Sequence, residues 1–165
     1  MFEMIPLLAV AAALASLALA AYYARIVNAA DPGTELMQEI AAAIRDGSMA
    51  FLRREYRAIA IFVVILAGIV FAVLPTLRPW GSLSLVLGAV FSGVAGFVGM
   101  RIATAANVRT AQAARQGAEK ALPLAYRGGA VMGFTVAGLG LLGISLAYLI
   151  FVQVLRVDDA FQVVA

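Results

Sequence analysis

Asp31, Glu35, Glu39, Asp46, Glu55 and Glu119 are the acidic side chains lying between the apolar stretches of this chain. Glu35 and Glu39 are one helical turn apart and share a helix face, where two carboxylates could hold Mg2+ through water. Acids early in a helix are also favoured by its unpaired N–H groups, and a solvated face accounts for the pair without a metal. Arg53, Arg54 and Arg57 would attract an anionic substrate. A basic cluster beside an apolar run equally marks a membrane interface. Asn107, Arg109 and Thr110 are suited to a specific hydrogen-bonded contact between helices, a structural role before a catalytic one. There is no Gly-x-x-x-x-Gly-Lys phosphate loop and no nucleophile elbow. With no Cys and no His, thiol chemistry, disulfides and imidazole catalysis are excluded. No catalytic, cofactor-binding or metal-ligating residue is assigned.

The elements that carry these residues are membrane helices. Hydrophobic residues make up 64% of the chain and charged ones 13%, which excludes a soluble domain. Four segments lack Asp, Glu, Lys and Arg: Met4–Ala24, Ala58–Leu77, Pro79–Met100 and Gly128–Leu155. Each has the roughly 20 residues that a helix needs to cross about 30 Å of hydrocarbon. Continuous apolar runs, as opposed to short alternating ones, exclude a strand barrel. The sequence therefore predicts an all-α membrane protein, one membrane region over 1–165. Its spans fall at about 4–24, 58–77, 81–100 and 129–153, with polar segments at 25–57 and 101–127. Ala18-Leu-Ala20 resembles a signal-peptide cleavage site, but the acidic Glu3 and the long apolar core predict a retained first helix.

Asp31-Pro32-Gly33-Thr34 reads as a turn that starts a helix, with Asp31 or Thr34 as N-cap and Glu35 in the first turn. Met37, Ile40, Ala41, Ile44, Ser48, Phe51 and Leu52 then form one face of an amphipathic helix. That helix runs through Arg53-Arg54-Glu55-Tyr56-Arg57 into the second span. Pro75 to Ser82, holding Arg78 and Trp80, suits the opposite interface.

Small residues mark the other two spans. Gly88, Ser92, Gly96, Gly99, Ala103, Ala106 and Thr110 recur at three- and four-residue steps through span three and beyond it. Gly128, Gly129, Gly133, Ala137, Gly140 and Gly143 do so in span four. Such stripes let backbones approach closely and place both spans inside a bundle. Ten of the twelve Lys and Arg fall in the two polar segments, Arg78 and Arg156 on the other side. By the positive-inside rule both polar segments are cytoplasmic and both ends of the chain are outside. A gapless offset of 70 aligns 43–57 with 113–127 at six of fifteen positions, among them Arg45/Arg115, Gly47/Gly117 and Tyr56/Tyr126. It implies two hairpins of like orientation. Ion pumps need ionisable groups at membrane depth, and the four spans hold none.

Two stretches are more specific. Met37-Gln-Glu-Ile-Ala-Ala-Ala-Ile-Arg-Asp-Gly-Ser-Met-Ala-Phe-Leu-Arg-Arg-Glu-Tyr56 and Gly99-Met-Arg-Ile-Ala-Thr-Ala-Ala-Asn-Val-Arg-Thr-Ala111 resemble the N-terminal part of membrane-integral inorganic pyrophosphatases. Val131-Met-Gly-Phe-Thr-Val-Ala-Gly-Leu-Gly-Leu-Leu-Gly143 is similar to that family's fourth helix. The resemblance implies the first four of about sixteen membrane helices, outer-ring elements of a homodimeric, Mg2+-dependent enzyme. Such enzymes hydrolyse pyrophosphate at the cytoplasmic face and move H+ or Na+ across a bacterial or archaeal membrane. Its implied partners are the lipid bilayer, the remaining helices and a second copy, with no nucleic acid. The family's Asp-rich substrate motif is not in this sequence, which implies that this portion is inactive alone. Two other readings are a free-standing four-helix scaffold or oligomerising protein, and a small channel. The channel would need polar pore-lining residues that the spans mostly lack.

Overall fold

Residues 4–74 and 79–150 are described in the computed structural model of the protein. They form four helices: α1 (Met4–Ala29), α2 (Glu35–Val73), α3 (Trp80–Ala114) and α4 (Ala118–Tyr148). All four are long and apolar enough to cross a membrane, and the protein is an all-α membrane protein. Parts of the predicted 75–82 connection, the end of span four and the tail with Arg156, Asp158 and Asp159 lie outside the described residues.

α2 and α3 are single unbroken helices in which membrane span and polar extension are continuous. At about 1.5 Å per residue each is over 50 Å long, so both outreach a hydrocarbon layer of about 30 Å. Thr34 is the N-cap of α2, its Oγ1 accepting from the Met37 N–H at 3.4 Å. Asp31 instead closes the preceding turn, accepting from the Gly33 N–H at 2.9 Å. Between α3 and α4 the chain turns over Arg115, Gln116 and Gly117. Each donates its backbone N–H three residues back, and Gly117 adopts φ +119°. That conformation favours glycine, and it ends the long helix with no proline involved. α4 thus begins ten residues before the glycine pair at 128 and 129 and takes Pro123 in its second turn, at the cost of one intrahelical bond.

The helices lie in the order α1, α4, α3, α2, and α1 also touches α3. Neighbours run antiparallel. Along α1, Ala13, Ala20 and Val27 meet Gly138, Val131 and Leu124 of α4 in turn. Two buried clusters hold this arrangement: Ala20, Ile102 and Val131, with Tyr23 and Phe134 packed on it, and Val27, Ala106 and Leu124. Of the two expected hairpins, α3 packs on α4, and α1 and α3 run in the same direction as expected, both antiparallel to α4. The first hairpin is corrected: α1 packs on α4 and barely meets α2, its Ala13 and Leu17 fitting against Gly138. The repeat also breaks locally, since 43–57 is uninterrupted helix whereas 113–127 contains the Gly117 turn.

The glycines of α3 and α4 divide into two classes. A Cβ at Gly128 would stand 2.7 Å from Ala106 Cβ, and one at Gly138 would stand 2.9 Å from Leu17 and 3.1 Å from the Ala13 carbonyl oxygen. One at Gly143 would meet Phe91, and one at Gly96 would meet the Tyr56 hydroxyl, each at 2.9 Å. These are true points of close approach. Gly88, Gly129, Gly133 and Gly140 meet nothing within 4 Å, so the stripe does not bury them inside these four helices. The amphipathic face of α2 divides as well. Ala41 and Leu52 are buried, while Ile40, Ile44 and Phe51 are exposed.

Candidate functional site

The polar residues with specific partners gather where α1 ends, α2 begins and α3 nears its own end. A helix leaves its last carbonyls unpaired and its C-terminus partly negative. The end of α1 is met by Arg109 of α3. Its Nε donates to the Ala30 carbonyl at 3.1 Å and one terminal nitrogen to the Asn28 carbonyl at 3.3 Å. The other terminal nitrogen donates to the Ala105 carbonyl of its own helix at 2.9 Å. The planar guanidinium thus fixes α1 to α3 across 79 and 81 residues of sequence.

One turn further along α3, Gln112 Nε2 donates to Asp31 Oδ2 at 2.9 Å. Arg115 in turn donates to Gln112 Oε1 at 3.3 Å. The carboxyl of Asp31 is held below its ordinary value by the Gly33 N–H first and by Gln112 second, with Arg115 adding charge attraction. Gln38 Nε2 closes the turn from the other side, donating to the Gly33 carbonyl at 2.9 Å. Gly33 has φ +84°, and a Cβ there would stand 2.7 Å from Met37 Sδ and 3.2 Å from Gln112 Oε1. The 28–38 connection is therefore clamped to α3 by Arg109 and Gln112.

Of the polar trio expected to join helices, Arg109 does so. Asn107 and Thr110 instead line an open groove between α3 and α4. Glu35 and Glu39 are exposed in the first two turns of α2, and Arg53, Arg54 and Arg57 are exposed on the same helix. Among the described residues no three of His, Cys, Asp or Glu come together in a way that could hold a metal ion. Sequence reasoning missed Gln112 and the clamping role of Asp31. The signal available was the pairing of an Asx turn after α1 with Arg109 and Gln112 one turn apart.

Several hydroxyls of the helices are spent on backbone carbonyls, as an apolar medium favours, whereas the buried Ser84 Oγ has no partner among the described residues. Ser16 Oγ donates to Phe134 O at 2.8 Å and joins α1 to α4. Tyr56 Oη donates to Gly93 O, joining α2 to α3, and Ser82 Oγ donates to Ala67 O at 3.0 Å. Thr104 and Thr135 bond within their own helices.

This pattern describes a scaffold whose polar groups hold helices to one another. A family model described as inorganic H+ pyrophosphatase matches residues 14–165. The chain belongs to that family. Curated relatives agree with this pyrophosphatase assignment. The chain is 44% identical over 140 residues to a K(+)-insensitive pyrophosphate-energized proton pump of Methanosarcina mazei, covering 85% of this chain and 21% of that protein. It is 43% identical over 154 residues to a K(+)-stimulated pyrophosphate-energized sodium pump of Thermotoga maritima, covering 92% and 20%. A putative sodium pump of the same kind from Bacteroides thetaiotaomicron is 38% identical over 161 residues, covering 96% and 21%. The chain thus spans about a fifth of the length of the relatives it matches.

Proposed function

We propose that these four helices are the outer-ring N-terminal part of a pyrophosphate-energised H+ or Na+ pump, and that by themselves they do not hydrolyse pyrophosphate. The observation that carries this reading is the use of the polar side chains. Arg109, Gln112 and Asp31 are engaged with one another and with helix ends. The described charge-free spans offer no ionisable relay. Hydrolysis of pyrophosphate stabilises charge on phosphoryl oxygens, which in metal-dependent sites takes carboxylate-held Mg2+ and usually cationic clamps. Coupling to ion movement takes ionisable groups at membrane depth. In the complete pump, Mg2+ and pyrophosphate would be bound by other helices. Nearly equal identity to a proton pump and a sodium pump, 44% and 43%, supports placing the choice of ion outside this segment as well.

The test is hydrolysis. Purified residues 1–165 are expected to show no Mg2+-dependent pyrophosphatase activity and to drive no ion uptake in vesicles. Both activities are expected when the complementary helices are supplied, in the same chain or by co-expression. Mg2+-dependent turnover by 1–165 alone, free of contaminating soluble enzyme, would refute the assignment.

A further inference from the structure

Arg53, Arg54 and Arg57 take no part in the clamp at the end of α1, and all three are exposed. Arg53 and Arg57 are one helical turn apart and Arg54 is three residues from Arg57, so they share one side of α2. The side turned to α3 is fixed by other residues. Leu52 is buried, and Tyr56 Oη donates to the Gly93 carbonyl of α3. The arginines therefore lie on the flank and far side of α2 as seen from α3.

Their depth sets them apart from the other basic residues. Arg25 of α1 lies between Ala20 and Val27, which pack with Ile102 and Ala106 of α3. Arg127 of α4 adjoins Gly128, which stands against Ala106. With Arg101 these form one basic layer, level with residues 101–106 of α3. Tyr56 is level with Gly93, eight residues short of Arg101, or about 12 Å along the helix. Ser82 Oγ reaches the Ala67 carbonyl eleven residues further along, so α2 and α3 keep this register. The Arg53–Arg57 group thus sits about 10 Å deeper than the basic layer, beside the charge-free run of α3. A guanidinium without an anion is costly at that depth. It is no proton relay, because arginine keeps its proton.

The row of side chains on which the arginines lie indicates the anion. Towards the end of α2 it continues as Ile61, Val64 and Ile65, each more than half exposed, as a surface against acyl chains is. Towards the start of α2 it continues as Ala50, Asp46 and Ala43, also exposed but small or acidic. The change from large apolar to small and polar side chains falls at the arginines, which marks the headgroup level on this side of the helix. A phosphate there meets several forked donors, and Arg–phosphate pairs are frequently bidentate.

We propose that Arg53, Arg54 and Arg57 hold the phosphate of an anionic phospholipid whose chains lie along Ile61, Val64 and Ile65, with its headgroup drawn below the basic layer of the other helices. A zwitterionic lipid carries the same phosphate beside its own cation and is held less well. Free inorganic phosphate offers the same chemistry without the chains, and one arm of the test separates the two.

The test reads lipid at the site itself. In the complete protein, freed of other cysteines and reconstituted in phosphatidylcholine bilayers, Ile61→Cys carries a bimane fluorophore one turn from Arg57. Quenching by phosphatidylglycerol with a nitroxide high on one acyl chain is compared with quenching by phosphatidylcholine labelled in the same way. The relative association constant at this position is expected to favour phosphatidylglycerol about fivefold or more, the effect of roughly one well-placed basic residue. Arg57→Gln and Arg54→Gln are each expected to remove most of that preference. Arg45→Gln, which removes an exposed charge about three turns away on the same helix, should leave it in place. No preference at residue 61, or a preference that survives both Arg54→Gln and Arg57→Gln, would overturn the proposal. An equal loss from Arg45→Gln would overturn it too, by reducing the effect to overall charge. So would abolition of the preference by inorganic phosphate, set against chloride at equal ionic strength, because the ligand would then be the free anion. Pyrophosphate hydrolysis plays no part in the readout, so the pump assignment and the lipid site stand or fall separately.

Discussion

Gly128 of α4 and Ala106 of α3 stand so close that a methyl group on residue 128 would be 2.7 Å from the Ala106 Cβ. Neither partner can turn aside, because a Cβ is fixed to its backbone. At Gly99 the obstacle would be Met132, whose flexible side chain is 47% exposed and can move.

Gly128→Ala is therefore expected to destabilise the protein by about 1–3 kcal/mol, the usual cost of overpacking a fitted contact. Gly99→Ala should cost clearly less. Thermal unfolding of both variants in the same detergent or lipid checks the order, and equal midpoints would show that α3 and α4 separate freely at this level.

Replacing Arg109 removes the donors that cover the Asn28 and Ala30 carbonyls. Arg109→Ala should cost about 1–3 kcal/mol, as for hydrogen bonds to a charged group, with the lower end favoured by partial exposure. Arg109→Lys should recover only part of this, since an ammonium cannot present two fixed forks. Faster proteolysis in the 28–34 turn of Arg109→Ala, with no change in the core of α4, is the expected signature. Uniform loosening of all four helices would argue against a local clamp.

The Asp31 carboxyl provides a pH test. Its pKa in the folded protein lies below the ordinary aspartate value of 3.8. Its contribution is therefore fully present above about 3.8 and is lost as pH falls through the lower folded value. The Gly33 amide resonance, followed by NMR during acid titration, should move with a midpoint below 3.8. Gln112→Ala should raise that midpoint. A midpoint above 3.8 would mean that the turn bonds are not made in solution.

Orientation is testable because the sequence has no Cys. By the positive-inside argument a cysteine at Gln38 should react with impermeant reagents only from the cytoplasm, and one at Ser82 only from outside. Labelling of the Gln38 position in intact cells would reverse the assignment.

Much of this protein follows from one-dimensional facts. Charge-free runs of about 20 residues commit the backbone to satisfy itself as helix in lipid. Thr34 as a cap and the continuity of α2 through Arg53–Arg57 are local, and local chemistry is written in order along the chain. The family resemblance rests on such stretches too, above all 37–56 and 99–111.

The tertiary structure decided what depends on which surfaces meet. A stripe of small residues shows that a helix can approach closely, without saying which neighbour does so. Gly128 meets Ala106, while Gly133, in the same stripe, faces an open groove, and Gly138, outside the stripe, meets Leu17. The 43–57 and 113–127 likeness implied hairpins, but α1 found its complementary surface on α4, far away in sequence. The Arg109 clamp was hidden for the same reason. A guanidinium finds the orphan carbonyls of another helix only once packing has brought Asn28 and Ala30 beside it, 81 and 79 residues away.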